Sequence, residues 1–178
     1  MQKIKNLFQF EEPGHRITDR IQPDSQWVVD GKGIATRKFN GACCRILDGV
    51  LWKRYEVKKG KKPPEGFEPA CEVDPNTGKQ QGWVLVNDGP EDKWFREALI
   101  ADRIDGTYEL CGPKVQGNPE GFSVHRLIPH GRCPIGNGIV PTDFEGLRDF
   151  FKNFPHEGIV WHHPDGRMVK CRRKDFGF

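Results

Sequence analysis

The residues best suited to chemistry begin in the run Ala35-Thr36-Arg37-Lys38-Phe39-Asn40-Gly41-Ala42-Cys43-Cys44-Arg45, where one lysine precedes a glycine by three positions. A Lys-x-x-Gly match alone means little, since ordinary residue frequencies yield roughly one per couple of hundred residues. Its company carries the weight. Arg54 follows in Trp52-Lys53-Arg54-Tyr55-Glu56, then Glu109 in Tyr108-Glu109-Leu110-Cys111-Gly112, then Glu157 in Glu157-Gly158-Ile159-Val160, and last Lys170 and Arg172 in Val169-Lys170-Cys171-Arg172. A lysine amine acts as a nucleophile only when neutral, and a free lysine titrates near ~10.4, leaving about one molecule in a thousand neutral near pH 7.4. Neighbouring positive charge lowers that barrier to deprotonation. Lys170 and Arg172, at i and i+2 of an extended strand, share a face roughly 7 Å apart. Two such cations can flank a triphosphate and also disfavour protonation of Lys38.

Taken in order, the series resembles the covalent nucleotidyltransferases, the polynucleotide ligases and mRNA capping enzymes. Their signatures are a Lys-x-Asp-Gly-type nucleophile motif, a downstream basic residue, an aromatic/Glu motif, Glu-Gly-x-Val and a terminal Lys-x-Lys. The match runs from about residue 26 onward. The segments Gly106-Thr107-Tyr108-Glu109-Leu110-Cys111-Gly112-Pro113-Lys114-Val115-Gln116-Gly117-Asn118-Pro119 and Glu157-Gly158-Ile159-Val160-Trp161-His162 look most like a small RNA ligase family with single-domain bacterial and phage members and a vertebrate member. That resemblance implies an α+β fold, an antiparallel-sheet nucleotidyltransferase (adenylation) domain of the ATP-grasp-like ligase type without an OB-fold. It implies that Lys38 attacks the α-phosphate of ATP, that AMP becomes covalently attached to Lys38, and that pyrophosphate leaves. Arg54 is then expected at the ribose or phosphate, with Lys53 a competing candidate. Glu109 is expected at the ribose hydroxyls, Glu157 near Mg²⁺ or Mn²⁺, and Lys170 and Arg172 at the phosphates. A hard ion held by few carboxylates plus substrate phosphates suits such a site.

The expected overall reaction joins 5′-phosphate and 3′-hydroxyl RNA ends, using ATP. The alternatives are a ligase for DNA ends and an inactive nucleotide- and RNA-binding module; a GTP-dependent capping enzyme fits less well. Two departures from the family pattern bear on this. Asn40 stands where many relatives carry Asp, and only eight residues follow Lys170, too few for the OB-fold that DNA ligases and capping enzymes carry. RNA is therefore expected on the domain's own surface, through Lys58, Lys59, Lys61 and Lys62 of a lysine-rich loop and through Lys114. That loop reads equally well as a solvated lysine run. His162-His163 is tempting as a metal pair, but adjacent strand residues face opposite ways, so one ring is expected to face the core and the other to be wet.

The elements that must position these groups follow from local patterning. Residues 1–25 read as a lead-in with little regular structure. Asp30-Gly31 and Asp48-Gly49 are hairpin signals, so Ile34 to Leu47 and Val50 to Val57 read as paired antiparallel strands, with Gly41 a possible bulge. Residues 58–82 read as an insertion-like loop without hydrophobic period. Glu91 to Ala101 reads as helical, Gly106 onward as a strand carrying Glu109, and Gly121 to Ile128 as another. Thr142 and Glu145 have capping-box spacing ahead of a stripe of Phe144, Leu147, Phe151 and Phe154. A hairpin turning at Pro164-Asp165-Gly166 ends the chain.

Composition bounds the rest. At 178 residues, with 30% charged side chains, the chain fits one domain, 1–178. Mean hydropathy of −0.70 marks a polar protein. No apolar run approaches the ~20 residues a membrane helix needs, and the first eight residues are too short in their apolar part for a signal peptide. The net charge of +3 excludes indiscriminate coating of nucleic acid but not local basic patches. Six cysteines without a Cys-x-x-Cys pair argue against both a zinc site and a disulfide framework. The expectation is a monomer in the cytoplasm, with no membrane partner.

Overall fold

A computed structural model describes residues 4–11, 16–99, 104–136 and 138–178. In chain order the strands are β1 (Lys5–Asn6), β2 (Phe8–Phe10), β3 (Ile17–Ile21), β4 (Ile34–Lys38), β5 (Ala42–Leu47), β6 (Val50–Val57), β7 (Glu68–Pro69), β8 (Gln80–Leu85), β9 (Gly106–Cys111), β10 (Arg126–Pro129), β11 (Gly158–His162) and β12 (Met168–Arg172). The α-helices are α1 (Gln26–Val29), α2 (Lys93–Ala98) and α3 (Phe144–Asn153). This is an α+β chain whose sheets are antiparallel except where β1 runs parallel to β12. Among the described residues no helix is long and apolar enough to cross a membrane.

The chain divides into two compact units. Residues 40–130 form one; residues 4–39 and 131–178 form the other. The first is built on a six-stranded sheet of order β10-β9-β5-β6-β8-β7. Strand alternation gives that sheet two unlike faces. Cys44, Ile46, Leu51 and Leu110 look one way and pack with Ala98 of α2 and Val115 into an apolar core. The residues between them, Cys43, Arg45, Arg54 and Glu109, look the other way, so β5, β6 and β9 read as alternating in sequence.

The second unit has a four-stranded sheet of order β1-β12-β11-β4 and a β2–β3 ribbon. Its core takes Ile159, Trp161, Val169 and Cys171 from the sheet, Leu7, Phe8 and Ile17 from the opening segment, and Leu147 and Phe151 from α3. Phe144 and Phe154 lie half-buried against it, so the helical stripe is core as its period requires. The helix starts one residue later than the capping-box spacing predicts. Asp143 is the N-cap and its carboxylate accepts from Gly146 N–H at 2.8 Å, a bond Thr142 is one residue too early to make.

Several other expectations change. Residues 4–25 carry three strands rather than little regular structure, because Leu7 and Phe8 are fully buried and pull that segment onto the core. Pro13 and Gly14 fall outside the described residues. The Asp30-Gly31 pair closes the single turn of α1, not a hairpin: Asp30 N–H donates to Gln26 O and Gly31 N–H to Val28 O. The run from Ile34 to Leu47 is two strands, not one. β5 pairs with β6 across Asp48-Gly49, as the turn signal predicts, while β4 joins the other unit's sheet through β11. Within residues 58–82, β7 and the start of β8 form strands, with Asp74 turning the chain by accepting from Asn76 and Thr77 N–H. The strand continues through Trp83-Val84-Leu85, a short apolar run that periodicity alone does not resolve. In the region read as helical, a 3₁₀ turn at Pro90–Asp92 leads into α2 ending at Ala98; residues 100 and 101 lie outside the described ones. Of the stretch read as a strand from Gly121 to Ile128, only the part from Arg126 is strand, as β10 (Arg126–Pro129).

Candidate active site

In the second unit, register places the reactive candidates. β11 lies between β4 and β12, so Lys38, Gly158 and Arg172 form one row, and Thr36, Val160 and Lys170 form the row two residues on. Because strand residues alternate, Lys38, Lys170 and Arg172 share one face, opposite Ile159, Val169 and Cys171 in the core. Lys38 Nζ donates to Glu157 Oε2 at 2.6 Å and to Phe39 O at 3.3 Å. Both members of that ion pair are mostly withdrawn from water, at 20% and 18% exposure.

Gly158 holds the middle of the row for a steric reason. A Cβ there would stand 2.3 Å from Cys171 O and 2.9 Å from Arg172 Cα. We expect Gly158→Ala to force β11 and β12 apart and destabilise the chain by about 2 kcal/mol, as overpacking of a tight site does. Urea unfolding measures it; an unchanged midpoint would show that the strands yield freely.

Lys170 and Arg172 are not equivalent in their surroundings. Arg172 NH2 donates to Asp175 Oδ1 at 2.7 Å, and Arg172 N–H donates to Asp175 Oδ2 at 3.1 Å. The Asp175 side chain is only 4% exposed and also accepts from Asn6 Nδ2 at 2.6 Å. Thus Arg172 ties the last turn of the chain to the sheet edge, where Asn6 pairs beside Lys170. Asn6 and Asp175 carry no motif; their role comes from contacts across almost the whole chain. His162 and His163 face apart as expected. His162 Nε2 lies 3.0 Å from Thr36 Oγ1, while His163 packs edge-on against Trp27 and pairs with Asp165 at 2.8 Å. Hydrogen bonds, first from Arg167 N–H, hold the Asp165 carboxyl down at about 2.

In the first unit, Cys43 lies opposite Glu109 in the β5–β9 register, and Arg54 lies opposite Trp83 in the β6–β8 register. Continuing the β5–β6 register by one residue sets Cys43 opposite Arg54. Glu109, Cys43, Arg54 and Trp83 therefore cross four strands in one row on the face away from the apolar core. Arg54 stacks on Trp83, 4.3 Å to the ring centroid, and hydrogen-bonds Cys43. Lys53 faces the opposite way and is engaged by Asp92, which is 1% exposed and also accepts from Asn87 N–H.

Both oxygens of Glu109 are in use. Oε1 accepts from Gly41 N–H at 3.2 Å, and Oε2 lies 3.0 Å from His130 Nε2. Gly41 is no bulge. It sits just before β5, where a Cβ would stand 2.1 Å from Leu110 O and 2.9 Å from Glu109 Cγ. The glycine of the Lys-x-x-Gly run is thus required by close approach of the backbone to β9. Asn40, the departure from the acidic pattern, donates its N–H to Glu120 Oε1 at 2.8 Å.

Burial, and next the Glu109 charge, push the Cys43 thiol up to about 11; burial likewise pushes Cys44 and Cys171 well up. None of these three thiols is an activated nucleophile at neutral pH. Lys58, Lys59, Lys61 and Lys62 are all exposed between β6 and β7, where Lys61 N–H closes a turn onto Lys58 O at 3.0 Å. Lys114 is exposed in the turn after β9, with its N–H 3.4 Å from His125 Nε2.

The family model described as RNA ligase 1 matches residues 96–178. RNA ligase 1 of Pongo abelii is 35% identical over a 218-residue alignment covering 81% of this chain and 67% of the relative. RNA ligase 1 of Danio rerio is 37% identical over 149 residues, covering 70% of this chain and 46% of the relative. That of Rattus norvegicus is 28% identical over 155 residues, again 70% and 46%. The chain spans about half to two-thirds of the length of these relatives.

Proposed function

The chain belongs to the RNA ligase 1 family, and from that premise we propose an ATP-dependent RNA ligase joining 5′-phosphate and 3′-hydroxyl RNA ends through a lysyl-AMP intermediate. The fold is read accordingly, as a single nucleotidyltransferase (adenylation) domain of the ATP-grasp-like ligase type, working as a monomer in the cytoplasm. The observation that carries the reading is the row Lys38, Gly158 and Arg172, with Glu157 on Lys38 Nζ and Lys170 two residues along on the same face.

Lys38 Nζ attacks the α-phosphorus of ATP, the N–P bond forms, and the bond from that phosphorus to the pyrophosphate oxygen breaks. Beforehand Lys38 must release Glu157 and shed a proton, for which Glu157 Oε2 is the carboxylate oxygen already within hydrogen-bond distance. Lys170 supplies positive charge on the same face for the phosphates, while Arg172 keeps that strand edge in place through Asp175. Glu157 is also the hard-oxygen ligand that fits a divalent ion. Mg²⁺ or Mn²⁺ bound there would supply charge to the phosphates. By the family resemblance, Arg54 and Glu109 are the residues proposed for the nucleotide; Lys53 is the weaker candidate because buried Asp92 holds it.

The test is incubation with ATP, a divalent ion and 5′-phosphorylated RNA. Adenylated RNA and then a joined product are expected; DNA ends joined in preference to RNA would turn the reading toward the DNA ligase alternative, and no adenylate on protein or nucleic acid would overturn it. The lysine-rich loop gives a second readout. Replacing Lys58, Lys59, Lys61 and Lys62 with alanine should spare protein adenylation yet weaken RNA joining, because distributed charge holds the RNA backbone. Every phosphate that the variant no longer neutralises should flatten the salt dependence of RNA binding, the slope changing by about 0.7 per phosphate. Titrations of wild type and variant at three salt concentrations decide it, and parallel slopes would make the loop a solvated surface run.

A further inference from the structure

Cys43 of β5, Glu109 of β9 and His130 just beyond β10 bring a sulfur, an oxygen and a nitrogen to within 4.8 Å of one another. No step of the proposed ligation uses Cys43 or His130. Glu109 Oε2 and His130 Nε2 stand 3.0 Å apart. His130 Nδ1 lies 2.9 Å from Thr107 Oγ1, which can accept its proton and so direct the Nε2 lone pair at Glu109. In that tautomer two acceptors face each other and a cation satisfies both; in the other, the Thr107 hydroxyl donates to Nδ1 and Nε2–H donates to Glu109. A proton would satisfy those two alone, but Cys43 Sγ stands beside them as a third donor.

The spacing fits an ion. Ligands at 2.0–2.3 Å around a tetrahedral centre stand roughly 3.3–3.7 Å apart, and the distances here, from 3.0 Å to at most 4.8 Å, bracket that with small side-chain adjustments. Three protein ligands leave a fourth position open, as in sites that exchange a water for another ligand. Orienting partners are in place as well: Thr107 on the far nitrogen of His130 and Gly41 N–H on the far oxygen of Glu109. Burial and the Glu109 charge hold the Cys43 thiol protonated, Arg54 from the next strand out only partly offsets them, and a bound cation would supply the charge that releases the proton.

We propose that Cys43, Glu109 and His130 form a binding site for a borderline-soft divalent ion of the zinc type, separate from the hard ion expected at Glu157. Thiolate plus imidazole selects such an ion over magnesium. Cys43 coordinates as the thiolate, its proton passing to solvent as the ion binds. A consequence that rests on the proposed nucleotide role of Glu109 is inhibition: zinc occupying that carboxylate should slow protein adenylation in wild type and leave Cys43→Ala unaffected.

The site itself is tested without any activity measurement. Zinc is titrated into the whole chain against a chromophoric chelator, in excess magnesium, and cobalt(II) is used separately to report thiolate coordination by its near-ultraviolet charge-transfer band. One zinc per chain is expected, with the cobalt band present. Cys43→Ala and His130→Ala should each weaken zinc at least ~100-fold and Cys43→Ala should abolish the band, whereas Thr107→Val should weaken zinc about 10-fold, as loss of an orienting partner does. Circular dichroism checks that each variant is folded, and Thr107→Val carries the test if a ligand variant is not. Wild type without zinc, or zinc retained at full affinity in folded Cys43→Ala or Thr107→Val, would overturn the site. Zinc binding as expected with no adenylation at all would leave the site standing and remove only the nucleotide reading.

Discussion

Lys38→Ala is expected to abolish covalent labelling of the protein by α-labelled ATP. Every other contribution to the proposed first step, from charge to positioning, acts on an attack by this one amine. The adduct on wild type should be labile to acid and to hydroxylamine, as a phosphoramidate is. The variant should remain folded, because Lys38 ends β4 on the face away from the core and its removal leaves Ile159 and Trp161 packed as before. It does leave Glu157 without the ammonium it now accepts from. A denaturing gel after incubation with labelled ATP and a divalent ion reads the result directly. Label persisting on Lys38→Ala would assign the nucleophile elsewhere.

The second large effect separates two cations that the sequence presents as a pair. Lys170→Ala should reduce protein adenylation by ~10² or more, the scale of removing one preorganised donor from developing charge. Arg172→Ala should act chiefly on stability. Removing it leaves the almost fully buried Asp175 carboxylate with Asn6 and the residue-172 backbone N–H in place of a guanidinium. Breaking such a pair costs about 3 kcal/mol, which for a chain of this size lowers Tm by roughly 6–12 °C. Thermal unfolding and self-adenylation, measured on both variants, give the contrast. Equal and mild losses in both would mean that the run is only a basic terminus. A stability loss confined to Lys170→Ala would invert the roles.

What the sequence by itself determined is what depends on near neighbours. The Asp48-Gly49 turn joined β5 to β6. The Glu157-Gly158 to Arg172 hairpin and the apolar stripe of α3 were legible for the same reason, since turn chemistry and helical period act over a few residues. The order of the motif residues, with the resemblance it carried, pointed to the family before any distance was known.

Tertiary structure decided which segments meet. The run from Ile34 to Leu47 looks continuous, yet β4 takes β11 as its neighbour and β5 takes β6 and β9, because strand pairing is settled by which faces can be buried together. That pairing put Glu157 on Lys38, two residues over a hundred positions apart. It also distinguished Arg54 from Lys53, adjacent in sequence and opposite in direction, by giving Lys53 the buried Asp92. Asp175, Asn6 and His130 stand in no motif, so nothing local marks them. Their partners are chosen by burial, which leaves a carboxylate or an imidazole no alternative but the polar group that the fold brings within reach.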